Sequence, residues 1–134
     1  MGGYGAIKFA LKNPTGFVFV GSMTGALSAP NDLGNQVPEF RDGLLTVFGT
    51  PGHPNRARND VFALATQADP TALPYFYLDC GISDGFLQTN RDFAALLQKR
   101  GIPYEYHELP GAHEWEYWDS RLATMLSVLR NRLS

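Results

Sequence analysis

One aspartate and one histidine follow strand-like segments of the sequence, and together they could perform proton-transfer chemistry. Asp84 lies in LDCGISDGF and His113 lies in LPGAHEWEYW, each after an apolar or alternating run. In a parallel sheet, loops at the carboxyl ends of strands meet at one edge, so we expect Asp84 beside His113. A buried carboxylate that orients an imidazole is the acid and base part of a nucleophilic triad, in which the imidazole takes a proton from the nucleophile.

The elements that would position these two residues alternate between strand and helix. Helical spacing and stop signals predict helices at residues 3–13, 38–48 and 90–100, with one or two turns from Val61 and an amphipathic helix at the carboxyl end. Apolar segments rich in β-branched and aromatic residues predict strands from Phe17, Pro74 and Pro103. We therefore predict an α/β fold, with a three-stranded, mostly parallel sheet and flanking helices, in a single unit spanning residues 1–134.

The composition argues against several functional classes. The 134 residues are 44% hydrophobic and 18% charged, which indicates one globular domain. The net charge of −2, with acids and bases interspersed, argues against a nucleic-acid or anionic-membrane surface. No apolar run approaches the roughly 18 residues of a membrane span. One cysteine, Cys80, and three histidines without an i, i+4 pair predict neither a disulfide nor a metal site.

Three motifs resemble the Putative esterase family of α/β-hydrolases, to which esterase D, tributyrin esterase and the mycolyltransferase antigens belong. Members carry G-x-S-M-G-G-x-x-A at the turn that holds the nucleophile, and this chain starts MGGYGA. GISD around Asp84 and PGAHEW around His113 follow in the family's order of nucleophile, acid and base. The resemblance also includes RNDVFALA and the helix after Trp118, so it covers nearly the whole chain.

The resemblance implies a role for each motif. Asp84 would be the triad acid, His113 the general base, and Met1 the residue whose backbone N–H contributes to the oxyanion hole. Trp115 and Trp118 flank the His113 loop and could line an acyl pocket. The nucleophilic serine would directly precede Met1, so the chain would be the carboxyl-terminal half of the domain, without the upstream strands. The intact protein would act on a small-molecule ester or thioester and would need no cofactor.

The principal residues also have structural interpretations. Asp84 precedes Gly85 and could occupy an ordinary Asp-Gly turn. His113 could be an exposed loop histidine. We expect Trp118 to pack in the core below the terminal helix, and Cys80 to be buried and inert.

Other candidates for chemistry are expected to be structural. Ser22, in GSMTG, does not occupy the third position that the nucleophile motif requires, and Ser83 is expected to be a loop hydrogen-bonder. His107 lies within a predicted strand and should make a cross-strand contact. His53, Arg56 and Arg58 are expected in a solvated polar turn rather than in an anion site.

Three expectations concern the behaviour of the whole chain. Nucleophile and base act as a unit, so this chain alone is predicted to be inactive. Its first strand would have an open edge, and we expect self-association or a need for the missing half. A non-catalytic degenerate hydrolase used in binding or assembly is an alternative, as is an acyltransferase. The compartment stays open, with the cytoplasm slightly favoured, because a targeting segment would lie upstream of Met1.

Overall fold

Three parallel strands form the centre of the computed structural model, which describes residues 1–32 and 37–134. The strands are β1 (Phe19–Met23), β2 (Tyr75–Gly81) and β3 (Tyr104–Leu109), and they lie side by side in that order. Phe19 aligns with Tyr75 and Phe76 aligns with Tyr104, and both pairings are parallel. The predicted α/β class and parallel sheet are confirmed.

Six α-helices connect and flank these strands within the described residues: α1 (Gly2–Lys12), α2 (Pro38–Phe48), α3 (Pro54–Arg58), α4 (Val61–Gln67), α5 (Leu87–Arg100) and α6 (Trp115–Leu133). Short 3₁₀ turns occur at Pro14–Gly16 and Pro70–Ala72. Helix α1 ends before Asn13-Pro14, because the ring of a proline disfavours a helical backbone at the residue that precedes it. Helix α5 ends at Gly101, whose left-handed φ of 68° caps the last turn.

The hydrophobic core lies between one face of the sheet and helices α1, α4 and α5. Its members share near-complete burial, and they include Ile7, Val20, Val61, Phe76, Leu78, Phe93 and Leu97. Phe62 of α4 stands edge-on to Phe93 of α5, with ring centroids 5.2 Å apart. Alternation along a strand turns Tyr77 and Asp79 to the opposite face, where α6 lies.

Helix α6 covers that second face thinly. Of its 19 residues only Tyr117 is buried, and the apolar side chains of Leu122, Leu126 and Leu133 are 43%, 50% and 64% exposed. The apolar stripe that the sequence predicts for this helix is therefore largely uncovered. None of the helices in the described ranges combines the length and the apolar character that crossing a membrane requires.

Strand β1 forms an edge of the sheet, and no strand of the described ranges pairs with its outer side. Its neighbour at the start, Val18, accepts the N–H of Tyr75 at 3.1 Å, and Thr24 at its end donates to the carbonyl of Asp79 at 2.8 Å. By the alternation of a parallel ladder, the backbone groups of Phe19, Gly21 and Met23 point away from β2. A mostly apolar groove of about 260 Å³ lies between this edge and α1. The edge that the sequence predicts is thus present.

Candidate active site

The loops that follow β2 and β3 bring Asp84 and His113 into contact. Nδ1 of His113 lies 3.0 Å from Oδ2 of Asp84. The Asp84 side chain is fully buried, whereas 44% of the His113 side chain is exposed. A carboxylate only accepts hydrogen bonds, so Nδ1 donates and Nε2 is the nitrogen with a free lone pair. No protein group in residues 1–32 or 37–134 makes a hydrogen bond to that Nε2.

Asp84 is held in a turn by hydrogen bonds to residues close to it in the sequence. Its Oδ1 accepts the N–H of Phe86 at 2.8 Å, and its backbone N–H donates to the carbonyl of Gly81 at 3.0 Å. Its own carbonyl accepts the N–H of Leu87, the first residue of α5, at 3.1 Å. Asp84 is therefore a turn residue as well as the partner of His113, and the turn fixes the direction of its carboxylate.

Two glycines allow the His113 loop to rest on the Asp84 loop. Gly111 accepts the N–H of Ser83 at 3.0 Å, and a Cβ atom at Gly81 would overlap the Gly111 carbonyl. Gly111 itself has a φ of 142°, and a Cβ there would overlap the ring of Tyr117. Only residues without a side chain permit this close approach, so Gly81 and Gly111 set the separation of the acid and the base.

Aromatic rings enclose the His113 imidazole on two sides. Phe86 lies with its ring centroid 5.3 Å away at 66°, and Trp118 lies 4.9 Å away at 87°. The indole N–H of Trp118 donates to Oγ1 of Thr24 at 2.8 Å, and Trp115 stands edge-on to Trp118 at 5.3 Å. The expectation that Trp118 packs in the core is wrong, because the ring is only partly buried and contacts His113.

A cavity of about 440 Å³ opens beside His113. Its lining combines the start of α1, the end of β1 and the His113 loop: Met1, Gly2, Gly3, Gly21, Met23, Thr24, His113, Trp115, Trp118 and Met125. Met1 is the N-cap residue of α1 and is 45% exposed, and Trp115 is 81% exposed. The structure thus places Met1, His113 and Trp115 around one space, and Asp84 lies behind His113.

The candidate serines stand apart from the Asp84–His113 pair. Ser22 is 1% exposed and packs between Gly3 and Gly25, and its hydroxyl has no hydrogen-bond partner among residues 1–32 and 37–134. Ser83 is exposed. Neither residue makes a hydrogen bond to His113 in the described part of the chain.

The remaining histidines and the cysteine make structural contacts. Nε2 of His107 lies 2.8 Å from Glu105 on the same strand, and its ring lies 5.6 Å from that of Tyr77 on β2, as a cross-strand contact predicts. Nδ1 of His53 accepts the N–H of Asn55 at the start of α3. Burial raises the pKa of the Cys80 thiol to about 12, so it stays protonated.

The expectation that Arg56 lies in a solvated turn is wrong. Residues 54–58 form the helix α3, and Arg56 is only 5% exposed. Its guanidinium donates to the carbonyls of Gly49, Thr50 and Pro30, which ties three loop segments together. Within the described ranges, no three His, Cys, Asp or Glu side chains converge as metal ligands would.

A buried polar cluster fastens α6 to the sheet, and no motif or spacing in the sequence indicates it. Oδ2 of Asp79 accepts the hydroxyl of Tyr77 at 2.8 Å and Nε of Arg121 at 3.4 Å. Burial raises the pKa of the Asp79 carboxyl, and the neighbouring Tyr77 hydroxyl and Arg121 oppose that shift. Burial and the hydrogen bond to Asp79 raise the pKa of Tyr77 to about 12. The cluster ties α6, which begins just after His113, to the central strand.

Comparison with known proteins matches residues 1–129 to the Putative esterase family. An acetyl esterase from Caldicellulosiruptor saccharolyticus is 31% identical over 131 residues, which cover 92% of this chain and 49% of that protein. The diacylglycerol acyltransferase/mycolyltransferase Ag85A of Mycobacterium leprae is 26% identical, over 99% of this chain and 47% of that protein.

The fold matches solved structures of esterases and serine hydrolases. FphF, a fluorophosphonate-binding serine hydrolase of Staphylococcus aureus, aligns with a TM-score of 0.79 and 26% identity, over 98% of this chain and 51% of that one. The chain therefore spans about half the length of the relatives that it matches. Its helices and parallel strands are those of part of an α/β-hydrolase, and the chain belongs to the Putative esterase family.

Proposed function

We propose that this chain carries the acid and the base of a serine acyl hydrolase that acts on carboxylic esters or thioesters. The observation that carries the proposal is the 3.0 Å contact between Asp84 and His113, which leaves Nε2 as the basic nitrogen beside a cavity of about 440 Å³. A buried carboxylate on Nδ1 fixes the tautomer that a general base needs. The family match supplies independent support.

In the proposed reaction, Nε2 of His113 takes the proton of a serine hydroxyl as the serine oxygen attacks the substrate carbonyl. Asp84 stabilises the resulting imidazolium through Nδ1–H. The imidazolium then gives its proton to the departing alcohol or thiol, which leaves an acyl-serine. A water molecule repeats the sequence: Nε2 takes its proton, the hydroxide forms the carboxylic acid, and the serine regains its hydrogen.

The start of α1 is the proposed site for the oxyanion. Met1, Gly2 and Gly3 line the same cavity as His113, and the first N–H groups of a helix have no partner within the helix. These N–H groups and the positive end of the helix dipole favour a negative charge. We assign the backbone N–H of Met1 to the oxyanion hole, and Trp115 to the wall of the acyl pocket.

The serine is proposed to come from a segment that corresponds to the other half of the relatives. Two observations support this: the chain spans about half of their length, and β1 presents unpaired backbone groups beside an apolar groove. On this proposal the 134-residue chain alone has no esterase activity, and it self-associates until its edge is covered.

A serine-directed fluorophosphonate probe tests the proposal. We expect no labelling of the chain alone, and labelling of a fusion that places the upstream half of the Caldicellulosiruptor acetyl esterase before Met1. In that fusion, His113→Ala should lower the labelling rate by about 10⁴-fold or more, because base and nucleophile act together. His107→Ala is the matched control, since this histidine contacts Glu105 and not Asp84.

Each arm of this experiment can overturn one part of the proposal. Stoichiometric labelling of the chain alone would show that it contains its own nucleophile. Equal labelling of the His113→Ala and His107→Ala fusions would exclude His113 as the base. A folded fusion that reacts with no probe would instead favour the non-catalytic alternative, a degenerate module for binding or assembly.

Acyl transfer is the second candidate, favoured by the likeness to an acyltransferase of Mycobacterium leprae. Both reactions share the acyl-serine, and they differ in whether water or an alcohol takes the acyl group. Product analysis of the fusion with a short-chain ester, in water and with added alcohol, separates them. Free acid as the main product in both conditions supports the hydrolase.

A further inference from the structure

The end of β1 carries a backbone conformation that costs energy. Thr24 has a φ of 50°, and it is the one residue with a side chain at positive φ in the described part of the chain. Such a conformation is unfavourable for a β-branched residue. Thr24 is 2% exposed, and its N–H donates to the carbonyl of Asp79 at 2.8 Å. Strain of this kind persists only where the surroundings hold the residue, and it concentrates at functional sites.

The side chain of Thr24 forms a hydrogen bond with a residue that packs against His113. Its Oγ1 accepts the indole N–H of Trp118 at 2.8 Å. The Trp118 ring then stands almost perpendicular to the His113 imidazole, with centroids 4.9 Å apart, while Phe86 contacts the imidazole at 5.3 Å. Rotation of the indole would break its hydrogen bond to Thr24 and leave a partly buried donor without a partner.

We propose that Trp118 is a positioning residue for His113, and that Thr24 locks the Trp118 indole in place. This inference rests on the proposed function, in which His113 is the general base. Trp118 limits rotation of the imidazole, so that Nδ1 stays on Asp84. Thr24 touches neither ring nitrogen of His113 and acts through Trp118. The end of β1 thereby sets the orientation of a side chain that follows β3.

The two tryptophans of the chain give the test an internal reference. Trp118 is hydrogen-bonded, whereas Trp115 on the same helix is 81% exposed, so their indole N–H signals in a nitrogen-15 NMR spectrum should exchange with water at different rates. The His113 Nδ1–H signal reports the bond to Asp84. These few signals can be followed in the 134-residue chain, including in a small oligomer.

Thr24→Val removes the acceptor oxygen and keeps the shape of the side chain. We expect the Trp118 indole N–H and the His113 Nδ1–H to exchange roughly fivefold faster, as loss of one net hydrogen bond implies, with Trp115 unchanged. Thr24→Ser keeps the oxygen and should retain the slow rates. Ser22→Ala is the matched control, since it removes a buried hydroxyl without a partner from the same strand.

The proposal is overturned if Thr24→Val speeds exchange at Trp118 but leaves His113 equal to the Ser22→Ala control, because Trp118 would then be packing alone. Should Thr24→Val fail to fold, Trp118→Phe breaks the same bond from the other side. It keeps an aromatic ring, and an unchanged His113 Nδ1–H exchange rate in this variant would overturn the proposal too. The fluorophosphonate result does not enter this measurement, so failure of the proposed function and failure of this inference are separate outcomes.

Discussion

Contacts between a few atoms decide how the Asp84 carboxylate meets the His113 ring. Oδ1 of Asp84 is held by the N–H of Phe86 and Oδ2 faces Nδ1 of His113, so both oxygens have assigned partners. The His113 loop can approach only because Gly81 presents no Cβ to the Gly111 carbonyl. Acid and base are therefore positioned by a turn and by an absent side chain.

Gly81→Ala should destabilise the chain by about 1–3 kcal/mol, because its methyl group would push the Gly111 loop away. Urea unfolding followed by circular dichroism measures the change. Gly85→Ala, in the same loop, is the matched control: a Cβ there meets nothing within 4 Å, and the free energy of unfolding should change by less than about 0.5 kcal/mol. Equal losses in both variants would contradict this account.

The sequence predicted part of the site at this scale. The carboxyl ends of successive parallel strands predicted that Asp84 and His113 would meet, and their side chains lie 3.0 Å apart. The expectation of a core position for Trp118 is wrong, because its ring is held by Thr24, and a threonine in the sequence does not predict the left-handed backbone that Thr24 adopts. Met1 and Trp115 lie at the cavity, and their roles stay predictions.

At the scale of elements, β1 matters most because β2 is the one strand that pairs with it among the residues that the structure describes. Residues near this edge are apolar and exposed, with Phe9 59%, Phe17 46% and Val18 67% accessible. Exposed apolar edges favour pairing with another chain. Thr24, the residue that follows this strand, accepts a hydrogen bond from Trp118, so β1 connects the open edge to the candidate site.

Val18→Lys should weaken self-association of the chain by about tenfold, equal to ~1.4 kcal/mol, because a charge at the edge opposes apolar pairing. Sedimentation velocity over a concentration series measures the effect. Val47→Lys is the matched control, since Val47 is 62% exposed on α2, away from β1. A comparable effect of Val47→Lys would show that the association does not use the β1 edge.

Sequence patterns predicted most elements, and their failures have physical causes. Helix α2 has the predicted bounds, whereas the expectation of a polar turn at α3 is wrong, because five residues are too few to show a repeating helical pattern in the sequence. Arg56 of α3 is buried by carbonyls from distant loops, which local pattern cannot reveal. The sequence predicts an apolar stripe on α6, yet Leu126 is 50% exposed, because the burial of a stripe depends on which elements pack against it.

At the scale of the whole molecule, the two faces of the sheet are stabilised differently. Apolar packing of α1, α4 and α5 fills one face, while the polar cluster of Asp79, Tyr77 and Arg121 fastens α6 to the other. A buried carboxyl with a raised pKa binds more protons in the folded state than in the unfolded state. Stability contributed by Asp79 therefore falls as the pH rises from about 4 through its folded-state pKa.

Asp79→Asn should remove that part of the pH dependence. The difference in unfolding free energy, variant minus wild type, is expected to increase as the pH rises from about 4 towards neutrality, because only the wild type must ionise a buried acid. Urea titrations at several pH values measure it. Glu108→Gln is the comparison of opposite sign, since the Arg91 hydrogen bond lowers the pKa of Glu108. A flat difference for Asp79→Asn would contradict the assignment.

The position of the two tryptophans has a spectroscopic consequence. Trp115 and Trp118 are the only tryptophans of the chain, and their rings stand 5.3 Å apart beside His113. Fluorescence excited selectively at tryptophan therefore comes entirely from the surroundings of His113. Tryptophan emission reports changes around His113, while far-ultraviolet circular dichroism reports the helices. A difference between the melting temperatures from the two signals would show that the surroundings of His113 open before the sheet unfolds.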